Sequence, residues 1–316
     1  MRVVTRQDIL AQFDKHAVLD AIEDGFKAFA RDQAQVAPVI HLAFPAAAGE
    51  CHVKAAHVEG DEVFTVKLAT GFYDNPKRGL PSSNGFMAVV SAATGEPRAI
   101  LQDDGALTDL RTALAGVIAT RLGGRRGARA LGIVGSGVQA RLQAEFICEL
   151  LGYDSLVLWA RASEKAAALA DTLRVSLPDL EISTAPTPAD LCARADTIIT
   201  ATASRQAIVH ADWVRPGTHI TAVGADSPGK QELDPALFAR ARHVIVDSVA
   251  QCAAHGETAH AVGAGIIARD ALLPLGVALS QAPLARAEDD ITIADLTGVA
   301  VQDAAIAGCI WRRLDR

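Results

Sequence analysis

"LGIVGSGVQARLQ", residues 131–143, is the stretch that decides the fold. An apolar, β-branched run ends in two glycines separated by one serine and then turns helical. A strand–turn–helix corner of this kind is where open α/β sheets hold a dinucleotide's pyrophosphate. Gly135 permits the tight turn, the missing Cβ of Gly137 lets the backbone approach the phosphates, and Ala140 is small enough for the helix to rest on the strand. The helix start adds free N–H groups and the positive end of its dipole. A glycine corner with no ligand is the plainer alternative.

From residue 128 a β-branched run, a turn and an alanine-rich helical stretch alternate. The runs are "ALGIVG" (130–135), "SLVLWA" (155–160), "LEIST" (180–184), "DTIITAT" (196–202), "THITAVG" (218–224) and "HVIVD" (243–247). Their nearly continuous apolar character predicts strands covered on both faces, as in a parallel sheet with crossover helices. "VQARLQAEFICELL" and "SEKAAALADTLR" have the spacing and composition of those helices. The expectation is an α/β chain with a Rossmann-type doubly wound parallel sheet over residues 116–290. The first 115 residues read differently, with a helix over 16–32 and strand-like alternation over 50–58, 63–70 and 85–101, the last broken by a Thr-Gly turn. "LTDLRTALAGVIATRL" (107–122) is a long helix entering the second domain. The tail, 291–316, reads as mostly helical and is expected to complete the first, α+β domain, which would then be built from both chain ends.

Composition narrows the function classes. A chain of 316 residues suits two domains of about 100–200 residues each. Half of it is apolar with only 4% aromatics, so the core is aliphatic, and a net charge of −7 leaves no footprint for nucleic acid. The densest basic run, "RLGGRRGARA" (121–130), reads as a solvated turn. Cys51, Cys148, Cys192, Cys252 and Cys309 lie far apart, which excludes a CxxC pair and suits buried thiols in a reducing cytoplasm. No signal-peptide core and no apolar run of about 18 residues is present, so no membrane association is expected. No metal site is expected either: His255 and His260 are off the HExxH spacing.

The end of the second strand bears on the nucleotide's identity. NAD enzymes usually place a carboxylate there for the ribose 2′-OH. This chain reads "LWARASEK" (158–165), offering Arg161, Ser163 and Lys165 instead. A cationic fork with a hydroxyl suits a 2′-phosphate, so NAD(P)(H) is the expected cofactor, with NADP(H) favoured.

Four stretches together, "VKLATGFYDNPKRGLPSSNG" (66–85), "LTDLRTALAG" (107–116), "GIVGSGVQA" (132–140) and "VGADSPGKQELD" (223–234), resemble the ornithine cyclodeaminase/mu-crystallin family in order and spacing. The resemblance implies a homodimer with a Rossmann domain, a substrate and dimerisation domain built from both chain ends, and chemistry at the Cα–N bond of a small amino or imino acid. By motif, Lys67 resembles the lysine that contacts the substrate carboxylate, Arg111 the arginine placed between substrate and cofactor, and Asp226 the catalytic acid/base. Ser82, Thr112, Val138, Gln139, Thr202, Val223, Gly224 and Lys230 match positions lining the cofactor or its pocket.

The residues themselves are compatible with those roles. Lys67 is a charge inside an apolar strand pattern, costly unless paired with an anion. Arg111 presents a planar fork suited to a carboxylate, and Asp226 follows a strand at the carboxyl edge of the sheet, where ligands bind. A buried Lys67–Asp226 ion pair is the structural alternative. One departure concerns substrate. Where the cyclodeaminases carry an acidic residue for the distal ammonium of ornithine, this chain has "GECHVK" (49–54), placing His52 and Lys54 near that position, with Glu50 leaving the register open. Residues 50, 52 and 54 share one strand face. If that face lines the pocket, the site is basic and suits a substrate with a second carboxylate; solvent-facing His52 and Lys54 are the alternative, and "GECHVK" resembles ectoine-utilisation members.

The leading expectation is an NAD(P)-dependent imine reductase or amino-acid dehydrogenase: Lys67 and Arg111 hold the carboxylate and Asp226 protonates nitrogen. The alternatives are a cyclodeaminase-type ammonia lyase that uses NAD+ catalytically, and a non-enzymatic crystallin-like binder of nucleotide and small ligand. Asp103 and Asp104 read as capping or solvated residues, and Glu257 as a brace within the second domain.

Overall fold

The second half of the chain builds an eight-stranded, wholly parallel sheet in the spatial order Glu181–Thr184, Ser155–Trp159, Ala130–Val134, Thr197–Thr200, His219–Ala222, Ile291–Asp295, Ala241–Val246 and Leu272–Pro274. The computed structural model describes residues 1–281 and 283–315. Those residues group into two compact units, one formed by Met1–Arg111 with the stretch from Val299, the other by Thr112–Gly298. Within the second unit, the strand Ala130–Val134 has its sequence successor on one side and Thr197–Thr200 on the other. That reversal of winding opens a crevice at the carboxyl ends of the strands, and Gly135 begins there. The helices Val138–Leu151, Ser163–Ser176 and Pro188–Arg194 are the crossovers, and Leu131, Ile133, Ile198, Ile220 and Ile293 are fully buried.

Two strands of this sheet escape the sequence pattern. Ile291–Asp295, expected with the tail in the first domain, lies instead between His219–Ala222 and Ala241–Val246, every residue buried. Thr292 anchors it, donating to the Gly123 carbonyl at 2.7 Å and bonding His219 Nδ1 at 2.8 Å. The chain therefore returns to the first unit at Val299, eight residues later than its helical tail suggests. Leu272–Pro274 is three residues long, too short to show periodicity.

The first unit is a mostly antiparallel seven-stranded sheet, ordered Arg2–Thr5, Pro97–Gln102, Ser83–Ser91, Val63–Phe72, Gly49–Val58 and Ala34–Val36, with Ile40–Phe44 also paired to Gly49–Val58. Helix Lys15–Ala30 and helix Ala300–Leu314 pack on each other, with Gly25 against Val301. Ala300 and Ala304 meet Ala56 of the sheet, so small residues set the close approach of helix to strand. Residues 300–310 of that helix are all buried. Helix Ala106–Gly123 is capped by Asp103, whose carboxylate accepts the Leu107 N–H at 2.8 Å.

Candidate active site

The glycine corner has the geometry its sequence requires. Gly135 adopts φ +138°, and a Cβ there would lie 2.6 Å from the Ala201 carbonyl oxygen, so only glycine fits. At Gly137 a Cβ would meet nothing within 4 Å: the space above it is open. Gly137 caps the fourteen-residue helix Val138–Leu151 without any side-chain hydrogen bond, leaving its first N–H groups available. A cleft of about 530 Å³ opens at this point, lined among others by Gly135, Ser136, Gly137, Arg161, Lys165 and Thr202. The residues present therefore fit a dinucleotide: open backbone at the phosphate position, and cations without a carboxylate at the tip of the second strand. Arg161 and Ser163 are both exposed there, Ser163 as the first residue of its helix. Val138 is exposed and Gln139 half-buried on the first turn after Gly137. Thr112 contributes its carbonyl to Gln143 Nε2 at 3.1 Å.

A buried carboxylate that sequence reading missed organises the neighbouring loops. Glu232 accepts the N–H of Thr202 at 2.6 Å, the N–H of Gly224 at 2.9 Å and the Thr200 hydroxyl at 2.8 Å. Burial pushes its carboxyl up to about 7. Glu257 is the brace expected of it, accepting the N–H groups of Glu232 and Leu233 at 2.6 and 2.9 Å. Val223 is buried just before Gly224. Asp226 is half exposed, and its Oδ1 pairs with Lys230 Nζ at 2.6 Å and accepts from Ser227 Oγ at 3.1 Å.

In the first unit Lys67 and Arg111 come together, but their counter-ion is Asp303 rather than Asp226. Lys67 Nζ and Arg111 Nε donate to the same Asp303 Oδ1 at 2.8 and 3.0 Å, and Arg111 Nη1 donates to Gln302 Oε1 at 2.9 Å. All three charged groups are nearly inaccessible, at 2%, 6% and 1% exposure. Lys54 lies directly opposite Lys67 in the strand register and on the same face. Burial brings the Lys67 ammonium down to about 7, Asp303 opposing and Arg111 and Lys54 adding to the fall. Burial would raise the Asp303 carboxyl, yet Lys67, Arg111 and Lys54 hold it below its ordinary value. Asp103 also faces Lys67 and is pushed by burial up to about 6. The site thus gathers three cations around Asp303, with Asp103 also facing Lys67. Asp303 carried no local signal: "VQDAAIAG" reads as an ordinary helical tail, and only the fold shows its face turned to Lys67.

His52 stands on the same face, half-buried, with Glu50 Oε2 3.5 Å from its Nε2 and 3.6 Å from His41 Nε2. The ligand atoms of His41, Glu50 and His52 lie within 4.8 Å of one another. Tyr73 donates a hydroxyl bond to Glu50, so the outer end of this strand face is mixed in charge rather than purely basic. Ser82 is half-buried and accepts the Phe72 N–H at 2.7 Å through its carbonyl.

A parallel sheet with its glycine corner at the winding reversal, in a chain that also carries a buried cluster of cations, defines a dinucleotide-dependent enzyme. The chain belongs to the ornithine cyclodeaminase/mu-crystallin family, whose model matches residues 1–316. It is 42% identical over 303 residues to a protein of Sinorhizobium fredii named as the uncharacterized cyclodeaminase y4tK, covering 94% of this chain and 91% of that one. Among solved structures, the iminosuccinate reductase of Paracoccus denitrificans in complex with NAD+ superposes with a TM-score of 0.90 at 32% identity, over 100% of this chain and 96% of that chain. An archaeal alanine dehydrogenase dimer with bound NAD does so with a TM-score of 0.90 at 29% identity, over 99% and 95%. No helix among the described residues is long and apolar enough to cross a membrane.

Proposed function

We propose that this chain is an NAD(P)-dependent oxidoreductase acting at the Cα–N bond of a small amino or imino acid, in the reductive direction on a 2-imino acid. The observation that carries the reading is the buried cluster of Lys54, Lys67 and Arg111 around one carboxylate. Lys67 and Arg111 take the substrate's α-carboxylate, and Asp226 delivers the proton to nitrogen. The bound dinucleotide supplies hydride to Cα. Gly135, Gly137 and the N–H groups of Val138 and Gln139 hold its phosphates, Thr202, Val223, Gly224 and Lys230 line its pocket, and Ser82 and Thr112 complete the cofactor contacts. Lys54, with His52 beyond it, receives a second carboxylate, which makes a 2-iminodicarboxylate the favoured substrate. The identity to a named iminosuccinate reductase supports this choice.

The test is a panel of NAD(P)H oxidation rates with glyoxylate, pyruvate and oxaloacetate, each with ammonium, and with pyrroline-2-carboxylate and piperideine-2-carboxylate. Oxaloacetate with ammonium is expected to be turned over fastest. A lyase reading shares the same residues and draws support from the likeness to a protein named as an uncharacterized cyclodeaminase. Ammonia release from ornithine with NAD+ and no net change at 340 nm would select it. Arg161 and Lys165 support a preference for NADPH, and Arg161→Ala is expected to raise KM for NADPH about tenfold while leaving that for NADH unchanged, a loss of about 1.4 kcal/mol. A wild-type preference for NADH that survives the substitution would refute it. A homodimer is supported by Ile40, Leu42 and Phe44, exposed at alternate positions of one strand, and is checked by light scattering of the eluted protein.

A further inference from the structure

We infer that Asp303 is the positioning residue of the carboxylate site: it clamps Lys67 and Arg111 onto one oxygen atom and fixes where an incoming carboxylate is gripped. This rests on the proposal that Lys67 and Arg111 bind the substrate's α-carboxylate. Both cations reach the same Oδ1, at 2.8 and 3.0 Å, while Oδ2 makes no hydrogen bond. Arg111 thus gives up the bidentate pairing common between arginine and carboxylates and shares a single oxygen with Lys67. Gln302 extends the clamp, its Oε1 accepting from Arg111 Nη1 at 2.9 Å while its Nε2 has no partner. The two residues are consecutive on helix Ala300–Leu314, whose burial from 300 to 310 leaves the clamp little room to shift. Lys67 is thereby oriented from the helix side, and its strand neighbour Lys54 stands opposite.

The charges facing Lys67 are Asp303, Arg111, Lys54 and Asp103. Among them Asp303 is the near anion; the two other cations favour loss of the lysine proton. Removing the carboxylate leaves the three cations with only Asp103 facing Lys67, and the lysine releases its proton at lower pH. Asp303 therefore has two separable effects. It places the cations, and it favours the charged form of Lys67 against burial and the neighbouring cations.

The experiment measures oxalate binding to the NADH-loaded protein by calorimetry between pH 6 and 9. In the wild type, affinity falls as pH rises through about 7, where Lys67 loses its proton. Asp303→Asn is expected to weaken oxalate binding at least tenfold at pH 7.5 and to move the fall at least one pH unit lower. Asp303→Glu keeps the charge but moves it by one methylene. It is expected to retain the wild-type pH midpoint and still lose at least fivefold in affinity, and it serves equally if the asparagine variant fails to fold. Combining Asp303→Asn with Lys67→Met should cost less than the sum of the two single losses, the remainder being the placement of Arg111, which also donates to Asp303. Wild-type affinity in Asp303→Glu, or additive losses in the double variant, would overturn the inference. Wild-type oxalate binding in Lys67→Met would instead overturn the carboxylate-binding role from which it starts.

Discussion

Asp226 stands with its carboxylate half in solvent and tied to Lys230, four residues on in the same loop. A proton donor needs access to the reacting atom and a partner that holds its orientation, and the Lys230 contact supplies the second. Asp226→Asn keeps the shape and removes the transferable proton. Turnover is expected to fall on the order of 10²–10⁴-fold, while the dissociation constant for NAD(P)H, read by nucleotide fluorescence, stays at its wild-type value. Wild-type rates in this variant would remove Asp226 from the mechanism. Lys67 shows how far one sequence reaches at this scale. A lysine within an apolar strand announces a buried anion, but Asp303 lies 236 positions away and nothing local in either segment pairs them. Asp226, the partner of the alternative structural reading, is bonded to Lys230 instead.

At the scale of elements, the glycine corner separates folding from binding. Gly135→Ala forces a side chain into a left-handed conformation and against the Ala201 carbonyl. It should cost about 1–3 kcal/mol of stability, visible as a lower Tm of the apo chain. Gly137→Val meets open space, so its apo Tm should be close to wild type while dinucleotide affinity falls steeply. Equal effects of the two substitutions on Tm would contradict the geometry. This corner was readable because strand, turn and helix each leave a local pattern, and the flanking strands of the parallel sheet were readable as continuous apolar runs. Ile291–Asp295 was not. Its five residues adjoin a helical tail, and its place depends on Thr292 meeting Gly123 and His219, contacts made by distant segments. Ile40–Phe44 escaped for another reason: every residue in it is exposed, so it carries no core-facing alternation.

For the whole chain, His219 sets a pH dependence of stability. It is fully buried between the hydroxyls of Thr292 and Thr221, at 2.8 and 2.9 Å. Burial takes its imidazole from 6.5 to about 3. Between those values the unfolded chain binds a proton that the folded one refuses, so stability rises with pH there and is lost as pH falls from 6.5 toward 3. The slope per site is up to about 1.4 kcal/mol per pH unit. Tm measured from pH 7 down to 4 should therefore fall more steeply in the wild type than in His219→Asn, and parallel curves would contradict the assignment. Helix Ala300–Leu314 has a consequence for biosynthesis. A nascent polypeptide emerges from the ribosome amino end first, so the sheet made by residues 1–111 must wait, its lysines unmatched, until the last turns have been translated. The contiguous segment 112–298 has all its partners earlier, and protease protection on stalled ribosomes should appear there first.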